Sequence, residues 1–372
     1  MPNLIIDIRS LLPSNAPTGI PEYTKQLLRA MFFVLRQKNR QDVKITLFSS
    51  GREAPDLTFL HSYRRQFTHT HIPLPNRPLN LSFKFFSFPH IEGLITQAHE
   101  GKPDRHNTVF FAPNLNLFPL SPHAKLVITF HDLSYERYPE LLKRRERFWH
   151  WMVNPRAIAS RENAIIAVSR STKEDLADIY GVSEKKMSIV YSGISQNFKP
   201  NSSAKRSRMK TILYLGSQEG RKNIACLLAA FCLLKKKLPV RLILAGPADS
   251  AIVPYKDMVQ IGVVKEHKRL ALYRKADLLV YPSLFEGFGF PPLEAMACGV
   301  PVIASSTSSL PEATGDSALL INPRNAEQLA SAMKTMLTDE SLRMHFIQKG
   351  LKHATQFRWE KTAKETLNIL LT

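Results

Sequence analysis

The chain has 372 residues, of which 44% are hydrophobic, and it carries a formal net charge of +20 at pH 7. That length suits about two domains of roughly 150 residues, each able to bury a core. Neither a signal peptide nor a bilayer-spanning run is predicted, and three cysteines without metal-ligand spacing are expected to stay reduced, so we expect a cytoplasmic protein.

The first half of the chain alternates apolar strands with helical patterns, which is the order of a doubly wound α/β domain. A strand is predicted at residues 4–8, and Gly19 lies in the turn that leads to the first helix. A later strand ends just before His131 and Asp132, and another ends at Ser169, the expected N-cap of the next helix. Taken alone, His131 would be interpreted as a structural histidine and Gly19 as a turn residue.

A basic and aromatic segment, residues 139–160, lies between those strands. If it forms one helix, its cations and aromatic rings suit the surface of an anionic membrane. A solvated helix whose tryptophans belong to the core is an equal alternative. The net charge alone would also suit nucleic acid, but no nucleic-acid-binding signature accompanies it, so we expect no nucleic-acid partner. The segment carries Lys143, Arg144, Arg145, Arg147, Phe148, Trp149, Trp151 and Arg156.

A polar and basic stretch at residues 197–206 marks the expected boundary between two domains. After it, an apolar strand at residues 211–216 leads to Arg221 and Lys222, just ahead of a helical pattern. Open parallel sheets bind ligands at the carboxyl ends of their strands. Arg221 can therefore bind phosphate oxygens with two donors at once, and Lys222 can add a single positive charge. An Arg-Lys pair in isolation is usually part of a solvated surface.

The most informative stretch is residues 282–302, between an apolar strand and a helix. Gly287 and Gly289 permit a tight turn that exposes backbone amides, and a helix N-terminus attracts anions, so a diphosphate fits there. Glu286 at the mouth of the loop and Glu294 in the helix can accept hydrogen bonds from the hydroxyl groups of a sugar and a ribose. A lone Gly-x-Gly would be a simple turn, but the upstream basic pair argues against that interpretation.

Seven residues separate Glu286 from Glu294, and with the upstream basic pair this spacing resembles the retaining glycosyltransferases of family four. The resemblance covers nearly the whole chain. It implies the α/β GT-B fold, in which two Rossmann-like doubly wound domains face each other across a cleft. The implied domains are an acceptor-side domain at residues 1–198 and a donor-binding domain at 199–356, with a helix at 357–372 packing back on the first domain.

The resemblance also implies roles for individual residues. His131 and Glu286 would be the catalytic residues beside the donor sugar, and Asp132 would lie on the acceptor side. The cations would hold the diphosphate, Glu294 the ribose, and the loop amides both sugar and phosphate. Related sequences often carry two or more glycines at the first turn, whereas this chain has one. The implied donor-binding set is Gly19, Arg221, Lys222, Gly287, Phe288, Gly289, Phe290 and Glu294.

The implied activity is retaining transfer of a glycosyl group from a nucleoside diphosphate sugar to a carbohydrate or lipid-linked acceptor. The motifs look most similar to bacterial mannosyltransferases of surface-polysaccharide or lipopolysaccharide assembly, which suggests GDP-mannose, with UDP-sugars as alternatives. No Asp-x-Asp occurs, so we expect catalysis without metal or cofactor. The expected location is the cytoplasm, with peripheral attachment to the inner face of the plasma membrane as an alternative. The rival hypotheses are a non-catalytic nucleotide-sugar sensor or scaffold and a GT-B nucleotide-sugar epimerase.

Overall fold

The structure is a computed structural model that describes residues 3–13, 19–40, 42–98, 108–121, 124–161, 164–200, 209–247 and 255–372. The backbone divides into two compact units. The first comprises Met1–Tyr135, Leu142–Gly193 and Trp359–Thr372, and the second comprises Glu136–Leu141 and Ile194–Arg358.

Each unit contains one parallel β-sheet. The strands of the first are β1 (Asn3–Asp7), β2 (Lys44–Ser50), β3 (Thr68–Ile72), β4 (Thr108–Ala112), β5 (Lys125–Phe130), β6 (Ala164–Ala167) and β7 (Met187–Ile189). Those of the second are β8 (Lys210–Leu215), β9 (Val240–Ala245), β10 (Met258–Ile261), β11 (Leu278–Tyr281), β12 (Val302–Ser305) and β13 (Leu319–Ile321). The strand orders are β3-β2-β1-β4-β5-β6-β7 and β10-β9-β8-β11-β12-β13.

The α-helices connect and cover these strands. In chain order they are α1 (Gly19–Gln37), α2 (Asn76–Phe86), α3 (Ile91–Ala98), α4 (Ser134–Arg137), α5 (Arg144–Val153), α6 (Pro155–Ser160), α7 (Arg170–Tyr180), α8 (Ile224–Lys235), α9 (Glu266–Lys275), α10 (Phe290–Ala297), α11 (Leu310–Thr314), α12 (Ala326–Thr338), α13 (Glu340–Ala354) and α14 (Trp359–Leu371). Short 3-10 helices lie at Arg9–Leu11, Thr58–Gln66, Pro139–Leu141, Glu184–Lys186, Gly220–Lys222 and Gly315–Ser317.

The first unit is a doubly wound sheet whose central strands are buried on both faces. All five residues of β1 are buried, and its three middle residues, Leu4, Ile5 and Ile6, are consecutive apolar residues rather than alternating ones. Helix α14 packs against α1 in this unit. Its buried residues recur at helical spacing along one face, as an amphipathic helix on a core requires. They include Trp359, Ala363, Leu367 and Leu370.

The second unit repeats the same strand order with one strand fewer. Tyr214, Phe231 and Leu244 are among the side chains that fill its core, from β8, α8 and β9. The turns after β8 and β9 approach so closely that only glycine fits at the second. A Cβ on Gly246, whose φ is +138°, would lie 2.0 Å from the carbonyl oxygen of Gly216. The start of the loop after β8 therefore lies directly against the backbone of Gly246.

The predicted boundaries can be compared with these elements. The chain passes from the first unit to the second after Gly193, whereas the predicted boundary lies after residue 198. The predicted linker extends to residue 206, and its part from 201 lies outside the described residues. The closing helix, predicted from residue 357, begins at Trp359 and belongs to the first unit.

The prediction of a single helix over residues 139–160 is wrong. The segment forms a 3-10 turn at Pro139–Leu141, then α5, then α6. The break between α5 and α6 lies at Asn154, whose φ of +52° is left-handed, and the next residue is Pro155. A proline ring disfavours helical backbone in the residue before it, so α5 ends there. The Asn154 side chain then accepts a hydrogen bond from the Ala157 amide, which caps α6.

Candidate active site

The loops that carry most of the predicted donor-binding residues follow two paired strands of the second unit. β8 ends at Leu215, and the loop after it runs to Lys222, while β11 ends at Tyr281 and its loop runs to Gly289. β8 and β11 pair in parallel where the sheet order reverses, so both loops leave the same edge. This is the position at which open α/β sheets bind ligands.

The loop after β11 turns directly into α10. Gly289 has a φ of +120°, and a Cβ there would lie 3.0 Å from Leu310 Cδ2, so both backbone and space favour glycine. Helix α10 follows with Pro291 in its first turn, and Gly299, with φ of +73°, lies just past its end. The predicted glycine turn, helix start and helix end are confirmed.

Lys222 and Glu286 form a buried ion pair across the two loops. Lys222 Nζ lies 2.6 Å from Glu286 Oε1 and 2.8 Å from Oε2, and it also donates to the Tyr281 hydroxyl at 3.2 Å. Both charged residues are only 7% exposed. Burial of one charge without the other would be costly, so each depends on its partner.

Arg221 lies beside the buried pair. Its Nη1 is 3.5 Å from Glu286 Oε2, and its Nε is 3.2 Å from the more exposed Glu219. The same guanidinium donates to the Phe285 carbonyl, and the Leu284 amide donates to the Arg221 carbonyl, so main chain and side chain both tie the loops together. The structure therefore brings Arg221, Lys222 and Glu286 into one cluster.

The protonation of the cluster follows from its charges. Burial alone would raise the pKa of Glu286, but the nearby charges of Lys222 and Arg221 outweigh it, so its pKa is lowered. Burial lowers the pKa of Lys222, and Glu286 opposes that change. Burial also raises the pKa of Tyr281 well above its usual value, so that its hydroxyl stays neutral. Glu286 is therefore an anion held between two cations.

A run of hydroxyl side chains, which sequence reasoning did not assign, braces the Glu286 loop. Ser308 Oγ accepts from the Glu286 amide at 2.9 Å. Ser309 Oγ lies 2.8 Å from the Glu286 carbonyl and 2.9 Å from that of Phe288, and donates to them. Thr307 donates to the Leu284 carbonyl at 3.1 Å. Consecutive Ser and Thr residues just before a helix were the available signal, since such side chains favour bonds to nearby backbone.

Glu294 lies in a different polar cluster from Glu286. Its Oε2 accepts from the Tyr273 hydroxyl at 2.8 Å, and its Oε1 lies 3.5 Å from Arg269 Nη1. Tyr273 and Arg269 are both on α9, so Glu294 connects α10 to α9. Burial and the Glu294 charge raise the pKa of Tyr273 well above its usual value. The ribose-binding role of Glu294 stays a prediction beside this structural contact.

His131 lies at the end of β5 in the first unit and is held in one tautomer. Its Nε2 is 2.8 Å from the Pro113 carbonyl oxygen, which can only accept, so Nε2 carries the proton and Nδ1 is the acceptor. The Tyr23 ring packs edge-on against the imidazole, with centroids 4.7 Å apart. Burial lowers the pKa of His131, so the neutral form is favoured.

The other residues predicted in the first unit have local contacts. Asp132 Oδ1 accepts from the backbone amide and hydroxyl of Ser134 at 2.9 and 2.7 Å, which caps α4. Ser169 accepts from the Thr172 amide, confirming the predicted N-cap of α7. Gly19 is the first residue of α1, and a Cβ there would meet nothing within 4 Å. Residues 14–18 of the predicted glycine turn lie outside the described residues.

A cavity of about 330 Å³ opens near the ends of β1 and β4 in the first unit. Four asparagines and the indole of Trp149 contribute to its lining, together with a buried pair in which Arg9 Nη2 lies 2.8 Å from Asp7 Oδ2. Amides offer both donors and acceptors, which suits an uncharged, hydroxyl-rich ligand. Sequence reasoning missed this site because its residues come from separate segments. The asparagines are Asn76, Asn80, Asn114 and Asn116.

The remaining features of the described residues concern metal ligands, membrane spans and thiols. No group of three or more His, Cys, Asp or Glu side chains in that part of the chain could hold a metal ion. None of the helices described above is long and apolar enough to cross a membrane. The three cysteines are free thiols, two of them partly buried on α8 and Cys298 buried just after α10.

Family comparisons match both halves of the chain. Residues 33–198 match the family described as Glycosyltransferase Family 4, and residues 195–353 match the one described as Glycosyl transferases group 1. The chain is 30% identical to O-antigen chain mannosyltransferase B of Escherichia coli over 289 residues, which cover 71% of this chain and 74% of that protein. Longer Escherichia coli relatives also match, and the chain spans 31–32% of their length.

Solved structures match over the full length. Sucrose-phosphate synthase from Thermosynechococcus elongatus has a TM-score of 0.74 at 18% identity, covering 99% of this chain and 98% of that one. Anabaena HepE in complex with UDP and glucose has a TM-score of 0.71 at 16% identity, covering 100% of both chains. At these identities the similarity concerns the fold alone.

Proposed function

The chain belongs to glycosyltransferase family 4 and has the GT-B fold, and from that premise we propose that it transfers a sugar from a nucleoside diphosphate donor to an acceptor hydroxyl, with retention of configuration. The predicted family and fold are confirmed by the comparisons. For the donor we propose GDP-mannose, supported by the similarity to an O-antigen mannosyltransferase.

The observation that carries the proposal is the cluster of Arg221, Lys222 and Glu286 at the reversal point of the second sheet. Arg221 and Lys222 face the buried Glu286 and the more exposed Glu219, and we propose that a diphosphate replaces Glu219 as the partner of Arg221. The N-terminus of α10 lies at the end of the same loop and adds its dipole. Negative charge develops on the diphosphate as the glycosidic bond breaks, and fixed cations stabilise that charge without reorganisation.

Glu286 and His131 are the proposed catalytic residues on the sugar side. Glu286 is anionic, and its loop is braced by hydroxyl side chains, so it can accept hydrogen bonds from sugar hydroxyls in a fixed geometry. His131 is favoured in its neutral form, with Nδ1 as an acceptor for another hydroxyl. We assign no carboxylate nucleophile and propose a front-face mechanism through ion-pair-like states.

For the acceptor we propose a carbohydrate, free or lipid-linked, bound at the cavity of the first unit. The asparagine amides would hydrogen-bond its hydroxyls, and Trp149 would pack against an apolar face of a sugar ring. Trp149→Ala should raise the KM for the acceptor, while donor hydrolysis without acceptor stays unchanged. Loss of donor hydrolysis as well would contradict this assignment.

We further propose that catalysis needs neither metal nor cofactor, on the ground that the sequence lacks Asp-x-Asp. In this proposal, Arg221 and Lys222 supply the positive charge that a metal ion would otherwise supply to the diphosphate. A chelator should leave turnover unchanged. Loss of turnover that manganese or magnesium restores would refute this part of the proposal.

The experiment that tests the donor site is thermal unfolding with saturating GDP, UDP or ADP. A nucleotide at about a hundred times its dissociation constant stabilises the folded chain by roughly 2.7 kcal/mol. Selective stabilisation by GDP is the expected result. Arg221→Ala should weaken that binding by about tenfold to a hundredfold, since a charge-assisted hydrogen bond is lost. Arg324→Ala, at an exposed arginine of the same unit, is the matched control.

The second candidate donor is a UDP-sugar, favoured by the structural similarity to HepE in complex with UDP and glucose. Selective stabilisation by UDP would support it over GDP-mannose. The absence of stabilisation by any of the three nucleotides would refute the donor site and favour a scaffold. A transfer assay with the selected donor then separates an enzyme from a sensor, because a sensor binds the nucleotide without turning it over.

A further inference from the structure

Helix α2 of the first unit is apolar on two opposite sides. Leu79 and Phe83, one turn apart, are buried in the core of the unit. Leu81 and Phe85, also one turn apart, point away from it and are 49% and 65% exposed. Phe86 is 78% exposed. One apolar side is explained by the fold, and the other is not.

Helix α5 of the same unit shows the same division. Met152 and Val153 are buried, and Trp149 packs against the core. Phe148 and Trp151 lie on the other side, 55% and 61% exposed, with ring centroids 5.7 Å apart. Exposed aromatic rings that contact each other form a patch rather than isolated surface residues.

Lys84 joins the two exposed sides. Its Nζ lies 3.4 Å from the Trp151 carbonyl oxygen and 5.2 Å from the centre of the Trp151 ring. Residues 81, 84 and 85 share one helical face by their spacing, so the face of α2 that carries Leu81 and Phe85 borders Trp151. The resulting aromatic surface consists of Leu81, Phe85, Phe86 and the following Phe88 from α2 and its end, with Phe148 and Trp151 from α5.

Exposed cations lie at the start of α5, beside the aromatic surface. Arg144, Arg145 and Arg147 are exposed, as is Lys143 just before them. Glu146 is the acidic residue among them, and its carboxylate accepts from the Lys143 amide as part of the helix cap. The local charge is therefore strongly positive, in a chain whose formal net charge is +20.

We propose that the aromatic surface and the adjoining α5 cations dock on an anionic lipid bilayer. Aromatic side chains favour the headgroup region, where one end is apolar and the other is wet. Lys and Arg beside them are attracted by anionic lipids. A protein partner would not require this excess of positive charge, and nucleic acid would not require the exposed leucine and phenylalanines of α2. The proposal stands apart from the chemistry of the donor site.

The test is co-sedimentation of the full chain with vesicles, without donor or acceptor. One set contains phosphatidylcholine alone and the other adds phosphatidylglycerol. The chain should bind the second set preferentially, with affinity that falls as salt rises. Each cation removed near an anionic surface costs about fivefold in binding, so the triple variant Arg144→Gln, Arg145→Gln and Arg147→Gln should bind roughly a hundredfold more weakly.

Matched variants separate this surface from net charge and from folding. Lys236→Gln, Lys237→Gln and Lys268→Gln together remove the same charge from exposed sites of the second unit and should bind far more tightly than the α5 triple variant. Phe85→Ser with Trp151→Ser should weaken binding about tenfold or more. Phe33→Ser, at an exposed phenylalanine of α1, should not.

Three results would overturn the proposal: equal binding to both vesicle sets, equal loss from the two charge variants, or unchanged binding after the aromatic substitutions. Preferential binding to RNA over anionic vesicles would overturn it as well. The α5 and aromatic variants should keep the nucleotide response of the parent chain, which excludes unfolding as the cause. Because the vesicle assay uses no nucleotide sugar, its failure would leave the proposed glycosyl transfer untouched.

Discussion

Substitutions at the buried pair of Lys222 and Glu286 should have strongly coupled effects on the free energy of unfolding. Lys222 Nζ contacts both carboxylate oxygens, at 2.6 and 2.8 Å, and both residues are almost fully buried. Removing one partner from a buried pair leaves an uncompensated charge and costs about 3–5 kcal/mol. Glu286→Gln and Lys222→Met should each lose that much. The double variant leaves neither member of the pair without its partner, so it should lose clearly less than the sum of the two single changes.

The free energy of unfolding is measured by urea titration for the parent chain, the two single variants and the double variant, with intrinsic fluorescence as the signal. The matched control is the exposed pair of Lys349 and Asp316, whose atoms are 2.8 Å apart. Lys349→Met and Asp316→Asn should leave the unfolding midpoint nearly unchanged, since solvent screens an exposed pair. Single losses at Lys222 and Glu286 that simply add in the double variant would refute the reasoning, because they would mean that the two charges are not coupled in the folded chain.

The same pair connects stability with turnover. Glu286→Ala should depress turnover far more than nucleotide affinity, because the proposed contact of Glu286 is with the donor sugar, whereas the proposed contacts of Arg221 and Lys222 are with the diphosphate. Turnover should be compared at a temperature well below the unfolding midpoint of the variant, so that loss of fold does not enter. An unchanged turnover would contradict the catalytic role of Glu286.

Other predictions concern single positions. Burial lowers the pKa of His131, whereas an unfolded histidine titrates near 6.5. The unfolded chain therefore binds more protons, so the free energy of unfolding should decrease as the pH is lowered below about 6.5. His131→Gln should make the urea midpoint less dependent on pH in that range. Gly246→Ala should destabilise the fold in a thermal scan because its Cβ would meet Gly216, whereas Gly19→Ala should not. Tyr273→Phe should cost about 1–3 kcal/mol in urea unfolding by leaving Glu294 short of a donor.

The local geometry of the loop between β11 and α10 could be predicted from the sequence because it depends on few residues. Gly289 and Gly299 adopt backbone angles that other residues rarely adopt, and Pro291 fits a first helical turn. These requirements act within a few positions of the chain. Alternating strands and helices likewise predict doubly wound parallel sheets, since crossovers in such sheets are right-handed and leave few topologies. The strand order within each sheet was found only in the structure.

The partners of the charged residues could not be predicted in the same way. Lys222 and Glu286 are separated by 64 positions, and their direct contact depends on the pairing of β8 with β11. The hydrogen bonds of Glu294 to α9 and of Ser309 to the loop are also non-local, across 21 and 23 positions. The resemblance implies which ligand group each residue contacts, but it does not predict the hydrogen bonds and ion pairs between these residues and the rest of the protein.

Trp149 and Trp151 show where helical periodicity could have decided between the two alternatives. Composition alone leaves both a membrane-facing and a core-facing interpretation open for the whole segment. Two positions along a helix are about 200° apart, so neighbours two residues apart must face nearly opposite sides. The buried Met152 and Val153 lie three and four positions from Trp149, which puts that tryptophan on the core side. Phe148 and Trp151, three apart, then share the exposed side, so the two tryptophans lie on opposite faces of α5.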